Sequence, residues 1–207
     1  MINFDERARD WDSDPMKVER ARVVADAICT ALPLPPGTRA LEYGCGTGLL
    51  SFALQPYLGS ITLADISQGM LDVLAEKIKA AGVMNMFPTR LDLGMDPLPA
   101  ARYHIIYSLM TLHHIPDTED ILGKFFALLE PGGHLCIADL EKEDGSFHGA
   151  QVTDVHHGFD QDVLQSKVAV AGFQKISFSR VYTIHMQGKG FPLFLLTTQK
   201  TAAQTVI

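Results

Sequence analysis

The chain has 207 residues, 47% hydrophobic and 20% charged, with a net charge of -7 at pH 7. An acidic chain whose lysines and arginines are scattered is a poor match for DNA or RNA, which bind through clustered phosphate contacts, so no nucleic-acid partner is expected. The longest apolar runs, such as FPLFLL from Phe191, fall far short of the roughly 20 residues a spanning helix needs, so no membrane span and no membrane partner are expected.

The opening MINFDERARDW mixes acids and bases and has no apolar signal core, and Cys29, Cys45 and Cys136 form no CxxC pair. Reduced, mostly buried thiols and a cytoplasmic location are expected. Asp14-Pro15 reads as an N-cap and first-turn proline, followed by Val18, Ala21, Arg22, Ala25 and Ile28 on one helical face. That helix should end near LPLPPG, Leu32 to Gly37, so residues 1–36 form a cap segment and helix ahead of one globular unit over 37–207.

From Arg39 the pattern alternates. It predicts strand Arg39–Tyr43, helix Gly48–Tyr57, strand Ser60–Asp65, helix Gln68–Ala81 and a weaker strand Asn85–Thr89. Strand YHIIYSL from Tyr103, helix Thr118–Leu129 and strand HLCIADL from His134 follow, with the LEPGGH turn supplying the glycine that ends the helix. Short strands separated by helices make an α/β fold with a parallel, doubly wound sheet. After a long irregular stretch, Glu141 to Gly158, come helix Gln161–Ala171, strand Phe173–Ile184, a turn at Gln187–Gly190 and strand Phe191–Thr198. The last two strands should be antiparallel.

The segment LEYGCGTGLLS, Leu41 to Ser51, places Gly44, Gly46 and Gly48 in the first strand-to-helix turn. Glycine there lets a ligand lie against bare backbone, and the following helix N-terminus offers unpaired N–H groups. The nicotinamide fingerprint GxGxxG would need glycine where Leu49 stands. Asp65 ends the second strand, where a carboxylate can accept both hydroxyls of a ribose, and Asp92 in TRLDLG could accept from the amino group of an adenine.

From about Phe4 to Thr198 these segments resemble the class I S-adenosylmethionine-dependent methyltransferases: LEYGCGTG, LADIS, RLDLG, YHIIYSLMTLHHIPD and LLEPGGHLCIADL in order. The resemblance implies a Rossmann-like seven-stranded sheet, mostly parallel with the last strand inserted antiparallel. It implies S-adenosylmethionine as cofactor, S-adenosylhomocysteine as product, and a cofactor site of Gly44, Cys45, Gly46, Gly48, Asp65, Ile66, Met70, Asp92, Leu93 and Ser108. FDERARDWDSDP, with the only tryptophan, Trp11, resembles the N-terminal cap of members that act on small molecules, although Trp11 could equally staple the terminus to the body. A small-molecule acceptor, a monomer or homodimer, and no resident metal are expected.

Methyl transfer needs alignment in a dry pocket and, for a hydroxyl or protonated amine, a base. Histidine is the usual side chain for that role. His113-His114 follows the fourth strand, and His156-His157 lies in the long loop; His156, His157 and His113 are the candidate bases. His104, His134 and His185 read as structural, and pattern does not place His148. Met110, Phe147 and Phe159 are candidate apolar walls. Asp139, Glu141, Glu143 and Asp144 could suit a hard cation, but acids alternating with Lys142 read as a solvated loop. Ser108-Leu109-Met110-Thr111 stands where enzymes methylating adenine or amide nitrogen carry an Asn/Asp-Pro-Pro-aromatic motif, and the paired-glutamate loop of arginine methyltransferases is missing. A cofactor-binding regulatory or partner protein without transferase activity is the alternative. A nicotinamide reductase is disfavoured by Leu49 and by the lack of a Tyr-x-x-x-Lys pair.

Overall fold

The computed structural model describes residues 3–149 and 152–201. A seven-stranded sheet runs in the order β3-β2-β1-β4-β5-β7-β6. Its strands are β1 (Arg39–Tyr43), β2 (Ser60–Asp65), β3 (Met86–Arg90), β4 (Tyr103–Leu109), β5 (Leu129–Leu140), β6 (Phe173–Met186) and β7 (Lys189–Lys200). Neighbours pair in parallel from β3 to β5, and β7 lies antiparallel between β5 and β6. This is the doubly wound sheet with an inserted antiparallel strand that the sequence led one to expect.

Both faces are covered, because successive residues of the central strands point to opposite sides. Leu41, Ile106 and Ile137 enter one apolar layer with Phe125, Leu164 and Phe194, while Ala40, Ile105 and Cys136 enter the other with Val24, Ile28, Leu54 and Leu74. The helices are α1 (Phe4–Arg7), α2 (Pro15–Ala31), α3 (Leu49–Leu54), α4 (Gln68–Ala81), α5 (Thr118–Leu128) and α6 (Gln161–Val170). Acidic or hydroxyl caps start the longer ones: Asp14 accepts from Met16 N–H, Ser67 from Met70, Asp117 from Asp120 and Asp160 from Asp162. Among the described residues no helix is long and apolar enough to cross a membrane, and all three cysteines are free.

Three local expectations need correction. The helix after the glycine turn is only α3, and Gln55–Tyr57 continues as a 3-10 turn because Pro56 cannot donate to an α-helical ladder. Helix α5 ends without glycine: Leu129 turns extended at φ -81° and pairs with Tyr103. The strand therefore begins there, and Gly132 at φ 82° sits in the irregularity before His134 meets Ile105. The final hairpin is longer than expected, closing through Gln187 and Gly188 alone, at φ 52° and 76°. Positive φ at both central residues suits the right-handed twist of the flanking strands.

The segment before α2 is docked on α4. The Asp5 carboxylate accepts from the Ser67 hydroxyl at 2.6 Å and from Gly69 N–H at 2.8 Å, adding a second cap to that helix. Phe4 packs edge-on against Trp11 and His114.

Candidate functional site

Strand order reverses between β1 and β4, and ligands of open α/β sheets bind outside the carboxyl ends of the strands at such a point. A cleft of about 1010 Å³ opens there, within the range of small-molecule sites. A smaller hollow of about 360 Å³ lies beside Leu32–Thr38 and Gly132–His134, away from the strand ends that bear the carboxylates and imidazoles described next.

The floor is the glycine turn. Gly44, Gly46 and Gly48 have φ of 71°, 52° and 79°, a left-handed run that side chains resist. Gly46 N–H donates to Asp65 Oδ2 at 2.7 Å, and Ser67 N–H donates to Asp65 Oδ1 at 2.9 Å. One carboxylate thus ties the turn after β1 to the end of β2. Burial raises the Asp65 pKa, and the backbone N–H donors work against that rise. Thr47 donates its hydroxyl to Asp12 Oδ1 at 2.5 Å, and Lys77 Nζ bridges Asp12 Oδ2 at 2.5 Å and Thr47 O at 2.7 Å. The N-terminal segment is therefore latched to the turn itself.

Two groups face the cleft that sequence reading passed over. Glu42 is buried in β1, accepts from the Ser51 hydroxyl and is linked through Ser51 to Tyr107 at 2.7 Å. Burial, with Asp65 adding to it, pushes its pKa up to about 8. The signal was an acid inside a strand otherwise fit for a core. Arg20 of α2 is half-buried, its Nε has no hydrogen-bond partner and no carboxylate lies within ion-pair distance of its guanidinium among the described residues.

At the far end lie imidazoles. His113, in the 3-10 turn Leu112–His114, is almost fully buried, and its Nδ1 sits 2.6 Å from Asp139 Oδ1. Burial alone would raise the Asp139 pKa, but the His113 ring and the N–H groups of Leu140 and His113 outweigh it and hold the carboxyl below its usual range. His113 Nε2 has no partner among the described residues, and neither has His148 Nε2. The rings of His113, His114 and His148 are 4.1 to 5.3 Å apart between centroids. Burial, then the neighbouring His113 and His148, depress the His114 pKa to about 4. His114 and His148, whose pKa is also lowered by burial, were not selected from sequence.

Of the residues expected at the cofactor, Gly44, Cys45, Gly46, Asp65, Ile66, Met70 and Asp92 line the cleft, as do Trp11, Met110, Phe147 and His113. Gly48 stands behind it against Leu74. Leu93, fully buried, donates its N–H to Tyr43 Oη at 3.0 Å, and Ser108 is buried in β4; neither is in the lining. His156 and His157 are not brought to the cleft either. His156 N–H donates to His113 O at 2.8 Å and its Nε2 is 3.0 Å from Ile115 O, so it braces the 3-10 turn from outside. His157 packs against Gly145, and Phe159 lies between His156 and Phe194. His185, expected to be structural, is exposed and borders the cleft. His104 is structural, accepting from Arg39 N–H at 2.9 Å. The acidic group does not converge: Glu141 pairs with Arg180 at 2.6 Å and Asp144 with Lys189 at 2.9 Å.

A family model described as "Methyltransferase domain" matches residues 16–187. An uncharacterized methyltransferase of Schizosaccharomyces pombe is 33% identical over 136 residues, covering 59% of this chain and 48% of its own length. The ubiquinone biosynthesis O-methyltransferase of Marinobacter nauticus is 31% identical over 113 residues, 54% of this chain and 48% of that protein. The chain thus spans about half the length of these curated relatives. In fold it is similar to phosphoethanolamine N-methyltransferase 2 of Haemonchus contortus, solved with S-adenosyl-L-methionine, at a TM-score of 0.74 and 13% identity over 97% of this chain and 60% of that one.

Proposed function

The chain belongs to the methyltransferase-domain family, of the class I S-adenosylmethionine-dependent kind, and from that membership we propose that it transfers a methyl group from S-adenosylmethionine to a small-molecule acceptor. The observation that carries this reading is the left-handed glycine turn clamped by Asp65 on the floor of a 1010 Å³ cleft.

The residues present fit the cofactor. A Cβ built on Gly46 meets only Met70 Sδ at 3.9 Å, so that backbone is open to a ligand. Each Asp65 oxygen keeps acceptor capacity beyond its backbone N–H, enough for ribose hydroxyls. Glu42 supplies a carboxylate for the cationic amino-acid end, Arg20 a guanidinium for its carboxylate, and Asp92 an acceptor for the adenine amino group. The bound cofactor would supply a methyl on a sulfonium, an electrophile needing no protein nucleophile.

This chain's residues then align and desolvate the reactants. Phe4 and Trp11 form an apolar wall on the cap side, held in place by Asp5 and Asp12. The acceptor approaches from the end bounded by His113, His114 and His148, and loss of its proton is assigned to that group of imidazoles. His156 keeps the turn in place through His113 O and Ile115 O. A net charge of -7 and free thiols support a non-nucleic-acid acceptor and a cytoplasmic setting. The rival reading, a cofactor-binding partner protein, shares the whole cofactor floor, and formation of S-adenosylhomocysteine in the presence of hydroxyl, amine or thiol acceptors separates the two.

Asp65→Ala is expected to weaken S-adenosylmethionine binding by about 1–3 kcal/mol through lost charge-assisted hydrogen bonds. Isothermal titration calorimetry measures it, and an unchanged affinity would remove Asp65 from the site.

A further inference from the structure

We propose that His113, His114 and His148 bind one divalent transition-metal ion, of the zinc type, at the inner end of the cleft. One ring nitrogen from each of the three lies within 4.8 Å of the others. His113 contributes the fixed ligand. Its Nδ1 is held by Asp139 at 2.6 Å, which leaves Nε2 as the lone-pair nitrogen, buried and without a partner among the described residues. A metal-ligating histidine ordinarily has this arrangement, its second nitrogen donating to a carboxylate that sets the tautomer. His148 presents a second buried Nε2 in the same condition.

Zinc–nitrogen bonds of about 2.0–2.1 Å in a tetrahedral set bring ligand nitrogens to about 3.3 Å from one another. The present spacing must therefore contract by at most about 1.5 Å. His113 cannot supply that movement, but His148 can, since it sits in a loop bounded by Gly145 and Gly149 at φ 86° and 77°. Phe147 packs edge-on against His148 and Phe4 against His114, an apolar shell of the kind that shields a metal from solvent.

Three neutral imidazoles and no carboxylate among the ligands select borderline cations such as Zn²⁺ or Co²⁺ over Mg²⁺ and Ca²⁺, which prefer oxygen. Three protein ligands leave a fourth position open. All three histidines line the cleft, so that position faces the acceptor. On the methyltransferase reading, on which this role alone rests, the fourth ligand is the acceptor oxygen, whose O–H proton passes to solvent as the metal lowers its pKa toward neutrality, so that the bound ion takes the place of the imidazoles as the agent of deprotonation.

The test uses the full chain stripped with a chelator and titrated with Co²⁺. The expected result is one equivalent bound with the visible absorption of a four-coordinate site, displaced by Zn²⁺, and about one zinc per chain by elemental analysis. His148→Asn and His114→Asn, with unchanged circular dichroism and melting, should each weaken binding at least ~10-fold, whereas His134→Asn, at the smaller hollow and outside the cleft lining, should leave it intact. Absence of a bound equivalent, or undiminished binding in both variants, overturns the proposal. S-adenosylhomocysteine titrated into metal-free protein keeps the two readings apart. Nucleoside binding without metal binding overturns the metal site alone, and metal binding without nucleoside binding overturns the methyltransferase reading alone.

Discussion

Gly44→Ala is expected to destabilise the protein by about 2–5 kcal/mol and to abolish cofactor binding, the sum of a left-handed backbone penalty and an overpacking penalty. Gly44 holds φ 71°, and a Cβ there would overlap Cγ2 and Oγ1 of Thr111 and come within 2.9 Å of its Cβ. Thr111 cannot swing aside freely. Its hydroxyl donates to Gly44 O at 3.3 Å and Leu109 O at 3.2 Å, and the preceding Met110, itself at φ 57°, is pinned by its N–H to Ala138 O at 2.8 Å. Adding Thr111→Gly should return the packing share and leave the backbone share of about 1–2 kcal/mol. Chemical denaturation reads both, and a single variant within about 0.5 kcal/mol of wild type, the scale of an ordinary surface substitution, would contradict the geometry of the turn.

Glu42→Gln is expected to do opposite things to stability and to binding. The folded pKa of about 8 lies above the ordinary 4.5, so between those values the folded chain keeps a proton that the unfolded chain has released. Stability attributable to Glu42 is then full below about pH 4.5 and lost as pH rises through 8, by up to roughly 5 kcal/mol. The substituted amide carries no charge to desolvate, so the variant should lose that slope and melt higher than wild type at pH 8. The same change removes the carboxylate offered to the cofactor's ammonium, weakening binding about 10-fold or more. Wild type should also release a proton on binding near neutral pH, seen as a buffer-dependent heat that the variant lacks. An unaltered pH slope would sink the buried-acid assignment, and unaltered affinity would make Glu42 structural only.

Much of this site could be read in one dimension because its parts lie close along the chain. The glycine turn sits between an apolar strand and an apolar helix, and Asp65 follows it at a strand end, so local patterning alone brings them together. The antiparallel run of β6 and β7 followed from their short glycine turn, whereas the insertion of β7 between β5 and β6 was implied by the family resemblance and not by patterning. His148 was not legible for the converse reason: it lies in a stretch without periodicity, and only the closed fold brings it beside His113, 35 residues earlier. The rival pair His156-His157 carried an equal sequence signal. What separates them is a backbone bond, His156 N–H to His113 O, which fixes that pair behind the turn. Glu42 was overlooked because strand patterning treats a charged residue as a break, whereas Ser51 and Tyr107 supply it with a buried hydroxyl network. The end of α5 was placed within one residue, but the start of β5 was set at His134 because Gly132 and Gly133 resembled a helix stop, whereas Leu129 already turns extended to pair with Tyr103.

Calorimetric titration of the purified protein with S-adenosylmethionine, S-adenosylhomocysteine and NADH in one series tests the central assignment most directly. Saturable binding of the two sulfur compounds at one site per chain, with no heat from NADH, is the predicted result. No binding of either sulfur compound would contradict the reading of the floor from Gly44 to Asp92.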